Sequence, residues 1–228
     1  MGIKSRYEFM IEISHLYKSY GPHEVLKDIT VTFDKQVVGI LGANGSGKTT
    51  LLKCILGILD YEGSIEVHGL NLKDHAQEIK KTMGYIPQYL PLWAEMRVQE
   101  AVHFFARLRN VNLKQAYTVL EEFGLAAHVS KKIHMLSGGM RQKLSIALSL
   151  MTDPSIVLLD EPTANLDAWA TREILSIIKG WRGKKTVLLS SHRLEEVQWV
   201  SDHLIQIQDG RLVAPSVESI SLKEPFYA

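Results

Sequence analysis

Two glycine-rich stretches have residue types and spacings that could bind phosphate groups. The first, GANGSGKT, runs from Gly42 to Thr49 and follows the pattern G-x-x-x-x-G-K-[ST]. Glycines let a backbone wrap around phosphate oxygens, and the N–H groups of the loop and of the following helix supply donors and positive potential. Lys48 would reach the outer phosphates, and Thr49 would bind Mg²⁺. The residues expected to contact the phosphates are Gly42, Asn44, Gly45, Ser46, Gly47, Lys48, Thr49 and Thr50.

The second stretch, LSGGM, spans Leu136 to Met140 at the start of a segment with helical periodicity. Ser137 is a good residue for capping a helix N-terminus, and Gly138 and Gly139 leave the backbone N–H groups beside it open. These features could form a second anion site. Taken alone, however, they fit an ordinary capped helix better, so a second phosphate site in one chain needs an explanation.

Two acidic residues end the apolar run SIVLLDE, residues 155–161. The run predicts a buried strand that places Asp160 and Glu161 at its carboxyl end, where open α/β sheets bind ligands. Asp160 would hold Mg²⁺ through water, and Glu161 would orient and deprotonate an attacking water. A solvated strand end is the alternative, and the nearby phosphate loop makes it the weaker one.

Hydrophobic patterns indicate the elements that must position these residues. Alternation in FMIEISHLY and VLKDITVTF predicts two N-terminal strands, and continuous apolar runs such as QVVGIL predict buried parallel strands. Helical patterns follow the phosphate loop (KTTLLKCILGIL) and the second glycine-rich stretch. After SIVLLDE, the remaining segments read helix, strand, helix, strand: AWATREILSIIKGW, KTVLLSSH, RLEEVQWVSD and HLIQIQDGRLV.

This order predicts one α/β domain over residues 1–228, with a P-loop NTPase sheet core, an N-terminal antiparallel β subdomain and an inserted α-helical lobe. Residues 98–123 are expected to be helical, with an N-cap at Asn112 and a terminating Gly124. The predicted divisions are a core at about 10–88 and 151–212, a helical lobe at about 89–150, and a C-terminal tail at 213–228.

Composition excludes several other classes of protein. The net charge is +1 without a basic block, which argues against a general nucleic-acid binder. The single cysteine, Cys54, rules out an internal disulfide and is expected in the core. The nine histidines lack metal-ligand spacing, and no apolar stretch is long enough to span a membrane, so we expect a cytoplasmic protein without a structural metal.

From about Ile11 to Leu212 the chain resembles nucleotide-binding subunits of the ATP-binding cassette (ABC) family. The resemblance depends on five motifs in order: GANGSGKT, YIPQ, LSGGM, IVLLDEPTANLD and SSH. It implies that two subunits, expected to be identical, stack head to tail with ATP between them. The phosphate loop of one subunit and Ser137, Gly138 and Gly139 of the other would hold each ATP, which explains the two phosphate sites.

The resemblance also implies roles for single residues, with ATP and Mg²⁺ as cofactors. Tyr20 matches the aromatic residue that stacks on adenine, with Tyr17 as the competing candidate. Gln88 matches the glutamine that reaches Mg²⁺ and links the nucleotide site to the helical lobe. Asp167 ends the loop that crosses the dimer interface, and His192 matches the histidine at the γ-phosphate.

The second glycine-rich stretch departs from the commonest family pattern at Met140, where glutamine is usual. A thioether cannot donate a hydrogen bond, so no donated contact from this side chain is expected. The roles of Ser137 and Gly139 do not depend on it. The run LSGGMRQKLSIALSL is similar to that of exporter-type members, which favours export.

The resemblance implies a separate integral membrane permease as partner, which would hold this chain at the inner face of the membrane. YLPLWAEMRV, just after Gln88, could form the groove that receives it, or could pack on the chain's own helical lobe. A repair or ribosome-associated ABC ATPase is the alternative function, but residues 89–135 have room only for the lobe. A P-loop kinase would leave LSGGM and SSH unexplained.

Overall fold

The computed structural model of the protein describes residues 10–88 and 94–213, and its ten strands form two sheets. The first is antiparallel, in the order β2-β1-β4-β5; the second has the order β10-β9-β3-β8-β7-β6 and is parallel except for β10. The strands are β1 (Ile11–Tyr20), β2 (His23–Phe33), β3 (Val37–Leu41), β4 (Glu62–Val67), β5 (Leu70–Asn71), β6 (Met83–Ile86), β7 (Ile156–Asp160), β8 (Thr186–Ser191), β9 (His203–Gln208) and β10 (Arg211–Val213).

Both faces of the second sheet are buried, which explains the continuous apolar runs of its central strands. Val157 and Leu159 of β7 face the core shared with the helices that follow β6, whereas Leu158 faces the core shared with the first sheet. Cys54 is fully buried in that second core, as its apolar surroundings predicted. The sheet is therefore held from two sides, which fixes the strand ends in space.

In the described parts of the chain, seven α-helices connect or flank these strands, and three of them follow one another between β6 and β7. Asn112 and Ser137 cap the second and third of these three, as predicted, by accepting backbone hydrogen bonds from Gln115 and Met140. The helices are α1 (Lys48–Ile55), α2 (Leu72–Lys81), α3 (Val98–Leu108), α4 (Leu113–Glu122), α5 (Gly138–Leu150), α6 (Ala168–Lys179) and α7 (Leu194–Val200).

The structure differs from the sequence prediction in three places. Helix α1 was expected to extend to Leu59 but ends at Ile55, because Gly57 adopts φ 60° and terminates it. The segment HLIQIQDGRLV is a hairpin of two strands, since Asp209 and Gly210 both have positive φ and reverse the chain. Helix α2 was not predicted, although Asn71 caps it.

Among residues 10–88 and 94–213, no helix combines the length and the apolar character needed to cross a membrane.

Candidate nucleotide site

The phosphate loop lies between β3 and α1, so the carboxyl end of an inner strand of the second sheet and a helix N-terminus frame it. Gly47 has φ 109°, and a Cβ there would lie 2.8 Å from a methyl group of Leu26. A Cβ on Gly42 would lie 2.4 Å from Ser46 Oγ. Glycine is therefore required at both positions, and the helix begins directly with Lys48. The other residues expected here, Asn44, Gly45, Ser46, Thr49 and Thr50, lie on the same loop or in the first turn of α1.

Lys48 is the only charged residue of this loop, and its side chain is 5% exposed. Its ammonium group donates to the carbonyl oxygens of Gly42, at 2.8 Å, and Ala43, at 3.0 Å. The same ammonium lies 3.4 Å from Oε1 of Glu161. The cation is therefore held inside the loop and already faces the residue predicted as the catalytic base.

Asp160 ends β7 and is 3% exposed. Its Oδ1 accepts hydrogen bonds from Thr49 Oγ1 at 2.9 Å and from Ser190 Oγ at 2.8 Å. Burial first, and then the negative charge of the nearby Asp160 carboxylate, raise the pKa of Tyr85 to about 12. A hydroxyl and a carboxylate side by side are oxygen ligands suited to Mg²⁺, so the donor set fits the predicted ion.

Glu161 follows Asp160 and points its carboxylate toward two basic side chains. One oxygen faces Lys48, and the other, Oε2, lies 3.1 Å from Nδ1 of His192. The Glu161 side chain is 13% exposed and that of His192 is 43% exposed. A carboxylate held at the mouth of a phosphate loop can orient a water molecule and accept its proton.

The register of the parallel strands explains why these residues meet. Leu159 of β7 pairs with Ile86 of β6, and Asp160 pairs with Ser190 of β8. The carboxyl ends of the three strands therefore lie at one edge. Gln88 lies two residues beyond the end of β6, on the same edge, and His192 follows β8 directly.

Tyr20 lies at the end of β1, where it pairs with His23 beside the tight turn to β2. Its ring is 48% exposed, with Lys18 Nζ 5.2 Å from the centroid. Residues 23–25 and 27 of β2 line a cleft of about 470 Å³ together with residues 43–46 of the phosphate loop and residues 206–210. Tyr17, the competing candidate, is half-buried, and burial first, then the nearby Asp28, raise its pKa. The greater exposure of Tyr20 therefore favours it over Tyr17 as the candidate for stacking on a base.

The LSGGM stretch forms the start of α5. Ser137 Oγ accepts from the N–H of Met140 at 3.2 Å, and Met140 packs partly against the helical core. A Cβ on Gly139 would lie only 2.7 Å from Cβ of Ala170 on α6, so glycine is required there for helix packing. Gly138 has more space, since a Cβ would meet only a methyl group of Leu166 at 3.4 Å.

Asp167 has a role within its own chain. Its carboxylate accepts from the N–H of Ala170 at 2.8 Å and caps α6, the helix on which Gly139 packs. Capping alone explains an acidic residue at this position. The loop that carries Asp167 and the start of α5 are thus neighbours through the contact between Gly139 and Ala170.

Three residues at or beside the site, Ser190, Tyr85 and Glu196, have no role predicted from the sequence. Ser190 and Tyr85 belong to the motifs SSH and YIPQ, in which only His192 and Gln88 had a predicted role. Glu196 is a buried carboxylate that accepts hydrogen bonds from Thr163 Oγ1 at 2.5 Å and from Arg193 Nη1 at 2.8 Å. It thereby joins the segment after Glu161 to the segment after His192.

Comparison with known sequences identifies the family. Residues 26–164, more than half of the chain, match the ABC transporter family. The ABC transporter ATP-binding protein NatA of Bacillus subtilis is 36% identical over 200 residues, which cover 83% of this chain and 80% of NatA. The linearmycin resistance ATP-binding protein LnrL of the same organism is 30% identical over 212 residues, 90% of this chain and 68% of LnrL. The chain also matches 9% of the mouse retinal-specific phospholipid-transporting ATPase, at 30% identity and 88% coverage of this chain.

Solved structures agree with this assignment. An ATP-binding subunit of an ABC transporter superposes with a TM-score of 0.79 at 28% identity, covering 90% of this chain and 88% of that one. An ATP-binding cassette in its ADP conformation gives 0.81 at 24% identity, with 91% of each chain covered, and so shares the fold. These matches confirm the predicted α/β fold of the P-loop NTPase class. The chain belongs to the ABC transporter family, as an ATP-binding subunit that hydrolyses ATP.

Proposed function

We propose that this chain powers a separate membrane permease through ATP-driven closure of two copies, stacked head to tail. Each ATP would lie between the phosphate loop of one copy and Ser137, Gly138 and Gly139 of the other. The observation that carries the proposal is the position of the Glu161 carboxylate, between Lys48 and His192. This arrangement places a cation for the phosphates beside a base for the attacking water.

The chemical step follows from these positions. Glu161 accepts a proton from a water molecule, whose oxygen attacks the γ-phosphorus while the bond to the β–γ bridging oxygen breaks. Lys48 exchanges its loop carbonyls for phosphate oxygens and stabilises the charge that develops on them. His192 lies at the side of Glu161 facing solvent, where it would contact the γ-phosphate and sense its presence.

Mg²⁺ would be held by Thr49, by Asp160 through water, and by Gln88. When bound, the ion neutralises phosphate charge during transfer. Thr49 and Asp160 are already joined by a hydrogen bond, so this part of the site is organised before any ion binds. Gln88 lies just beyond the end of β6, the strand beside β7, and would connect the ion to the helical lobe that follows Gln88.

Closure would use the second anion site. Charge-assisted hydrogen bonds from Ser137 and the N–H groups at the start of α5 contribute roughly 1.5–3 kcal/mol each. They can form only with the ATP of another copy, so nucleotide binding would favour the dimer. Asp167 would lie at the same interface, because its loop adjoins α5 through Ala170. Tyr20 would stack on adenine.

The permease contact and the lobe boundaries belong to the same proposal. Residues 89–150 would form the helical lobe, and YLPLWAEMRV the groove for the permease; Trp93 and the rest of residues 89–93 lie outside the described residues. The names of LnrL, for linearmycin resistance, and of the mouse transporter, for phospholipid transport, both support transport, and resistance to a compound suits its export. They favour transport over a repair or ribosome-associated function.

Affinity purification tests this proposal. The tagged chain, purified from detergent-solubilised membranes, is expected to bring one integral membrane protein in stoichiometric amount, and the ATPase activity of that complex should respond to the lipids or cargo supplied. Recovery of the chain only from ribosomes or chromatin would contradict it and would support the alternative.

A further inference from the structure

The hydroxyl of Ser190 lies between the two acidic residues of the candidate site. It accepts a hydrogen bond from the backbone N–H of Glu161 at 3.0 Å and donates one to Asp160 Oδ1 at 2.8 Å. Ser190 is 0% exposed, so water does not compete for either bond. One buried oxygen thus contacts both the predicted ligand of Mg²⁺ and the peptide group of the predicted base.

The three residues that precede Ser190 in β8 are apolar. Val187, Leu188 and Leu189 precede it in β8 and belong to the two cores. A hydroxyl in such surroundings is costly unless it is hydrogen-bonded. Ser190 satisfies this requirement through the two acids, because the register of β7 and β8 places it directly opposite Asp160. Packing with the apolar neighbours therefore does not explain a hydroxyl at this position, whereas the hydrogen bonds to Asp160 and Glu161 do.

Glu161 has an unusual backbone conformation that Ser190 stabilises. Its φ is 45°, in the left-handed region that residues with a long side chain rarely adopt. Such a conformation persists only when the surroundings hold it. The N–H of Glu161 donates to both the carbonyl oxygen of Ser190, at 3.2 Å, and its Oγ. The conformation held in this way directs the carboxylate toward Lys48 and His192.

We propose that Ser190 is a positioning residue for ATP hydrolysis: its hydroxyl holds the Asp160–Glu161 peptide so that the magnesium ligand and the base keep one relative orientation. The inference rests on the proposed roles of Asp160 and Glu161. Ser190 itself touches no substrate. Removing its hydroxyl would let Glu161 leave the left-handed region and would free one side of the Asp160 carboxylate.

Thr186 supplies a matched control on the same strand. It is also 0% exposed, and its Oγ1 has no hydrogen-bond partner among the described residues. Thr186→Val therefore removes a buried β8 hydroxyl without touching either acid. We expect Ser190→Ala to lower kcat by about 10- to 100-fold through misplacement of the base. The KM for ATP should change less than about three-fold, because the phosphate loop is intact. Thr186→Val should keep kcat within about two-fold of the wild type.

The Mg²⁺ dependence of ATPase activity and of ATP binding distinguishes a positioning role of Ser190 from a purely structural one. In Ser190→Ala the Mg²⁺ concentration for half-maximal ATPase activity should rise by at least about three-fold, since Asp160 loses one of its orienting donors. Binding of ATP in the presence of EDTA, followed by calorimetry, should stay within about two-fold of the wild type, while the gain in affinity on adding Mg²⁺ shrinks. The thermal unfolding midpoint without nucleotide is expected to fall more in Ser190→Ala than in Thr186→Val, because only Ser190 loses buried hydrogen bonds, and both variants should remain folded at the assay temperature.

Wild-type kcat and Mg²⁺ dependence in Ser190→Ala would overturn the inference, as would an equal loss of kcat in Thr186→Val. Glu161→Gln, measured in parallel, separates this inference from the proposed function. If that variant is inactive while Ser190→Ala is normal, only the inference about Ser190 fails. If Glu161→Gln retains near-normal turnover, the assignment of the base fails.

Discussion

His192 Nδ1 lies 3.1 Å from Oε2 of Glu161, although the two residues belong to different strand ends. The other oxygen of that carboxylate faces Lys48 Nζ at 3.4 Å. Three motifs that are distant in the sequence thus converge on one side chain. A carboxylate between two basic groups is oriented without being sealed from solvent, which suits a base that must meet a water molecule.

Glu161→Gln is expected to reduce turnover by about 100-fold or more, because it keeps the shape of the side chain and removes the base. ATP binding should persist, since Lys48 and the loop are unchanged. Hydrolysis can be followed by phosphate release, and the variant should run as an ATP-bound dimer on a sizing column. Near-normal turnover would assign the base elsewhere.

Tyr20→Ala should weaken ATP binding by about 1 kcal/mol, the contribution of one aromatic stacking contact. Every purine offers such a face, so GTP should remain a detectable substrate of the wild-type chain. Calorimetry with ATP measures the loss, and Tyr17→Ala is the comparison. If only Tyr17→Ala weakens binding, the stacking role belongs to Tyr17.

Gly138→Asp tests whether the second anion site acts on the nucleotide of another copy. Gly139 is unsuitable for this purpose, because any Cβ there collides with Ala170 within the same chain. At Gly138 a side chain has space, and an acidic residue in the first turn of α5 suits that helix. Hydrolysis should be lost, since the carboxylate would repel the partner's γ-phosphate, while the variant still folds and binds ATP.

Mixing experiments complete this test. Lys48→Ala should fail by weakening ATP binding in its own chain, and a mixture with Gly138→Asp rebuilds one complete site per heterodimer. Partial recovery of ATPase activity is therefore expected, together with a wild-type specific activity that rises with protein concentration. Full activity of Gly138→Asp alone, or constant specific activity at dilutions where light scattering detects only monomer, would show that each site is complete within one chain.

Tyr85→Phe should reduce the decrease in the free energy of unfolding that occurs as the pH rises above 10. The pKa of Tyr85 is raised from the usual 10.0 to about 12, so the folded protein retains a proton that the unfolded chain loses. This contribution to the free energy of unfolding is fully present below pH 10 and is lost as the pH rises through 12. Urea unfolding at several pH values between 9 and 12 measures the slope.

Tyr61→Phe is the matched control for Tyr85. Burial also raises the pKa of Tyr61 to about 12, but its hydroxyl has no hydrogen-bond partner among the described residues. Both variants should reduce the loss of stability above pH 10, whereas only Tyr85→Phe should change the Mg²⁺ dependence of the ATPase, through Asp160. An unchanged slope in Tyr85→Phe would contradict the raised pKa.

Much of this protein could be predicted from the sequence because the relevant signals are local. The phosphate loop depends on glycines and one lysine within eight positions, Ser137 and Asn112 cap the helices that directly follow them, and a short apolar run places Asp160 at a strand end. The hairpin β9–β10 and helix α2 also had local signals, Asp209–Gly210 and Asn71, which the hydrophobic pattern obscured.

Only the tertiary structure decided which side chains meet. That Ser190 stands opposite Asp160 depends on the register of two strands separated by α6, and that Gly139 lies against Ala170 depends on how two helices pack. Hydrophobic periodicity specifies which face of an element is buried, but it does not specify the partner residue on another element. The pairing of Glu161 with Lys48 and His192 arises only when the parallel strands align, because alignment is set by the whole sheet and its two cores.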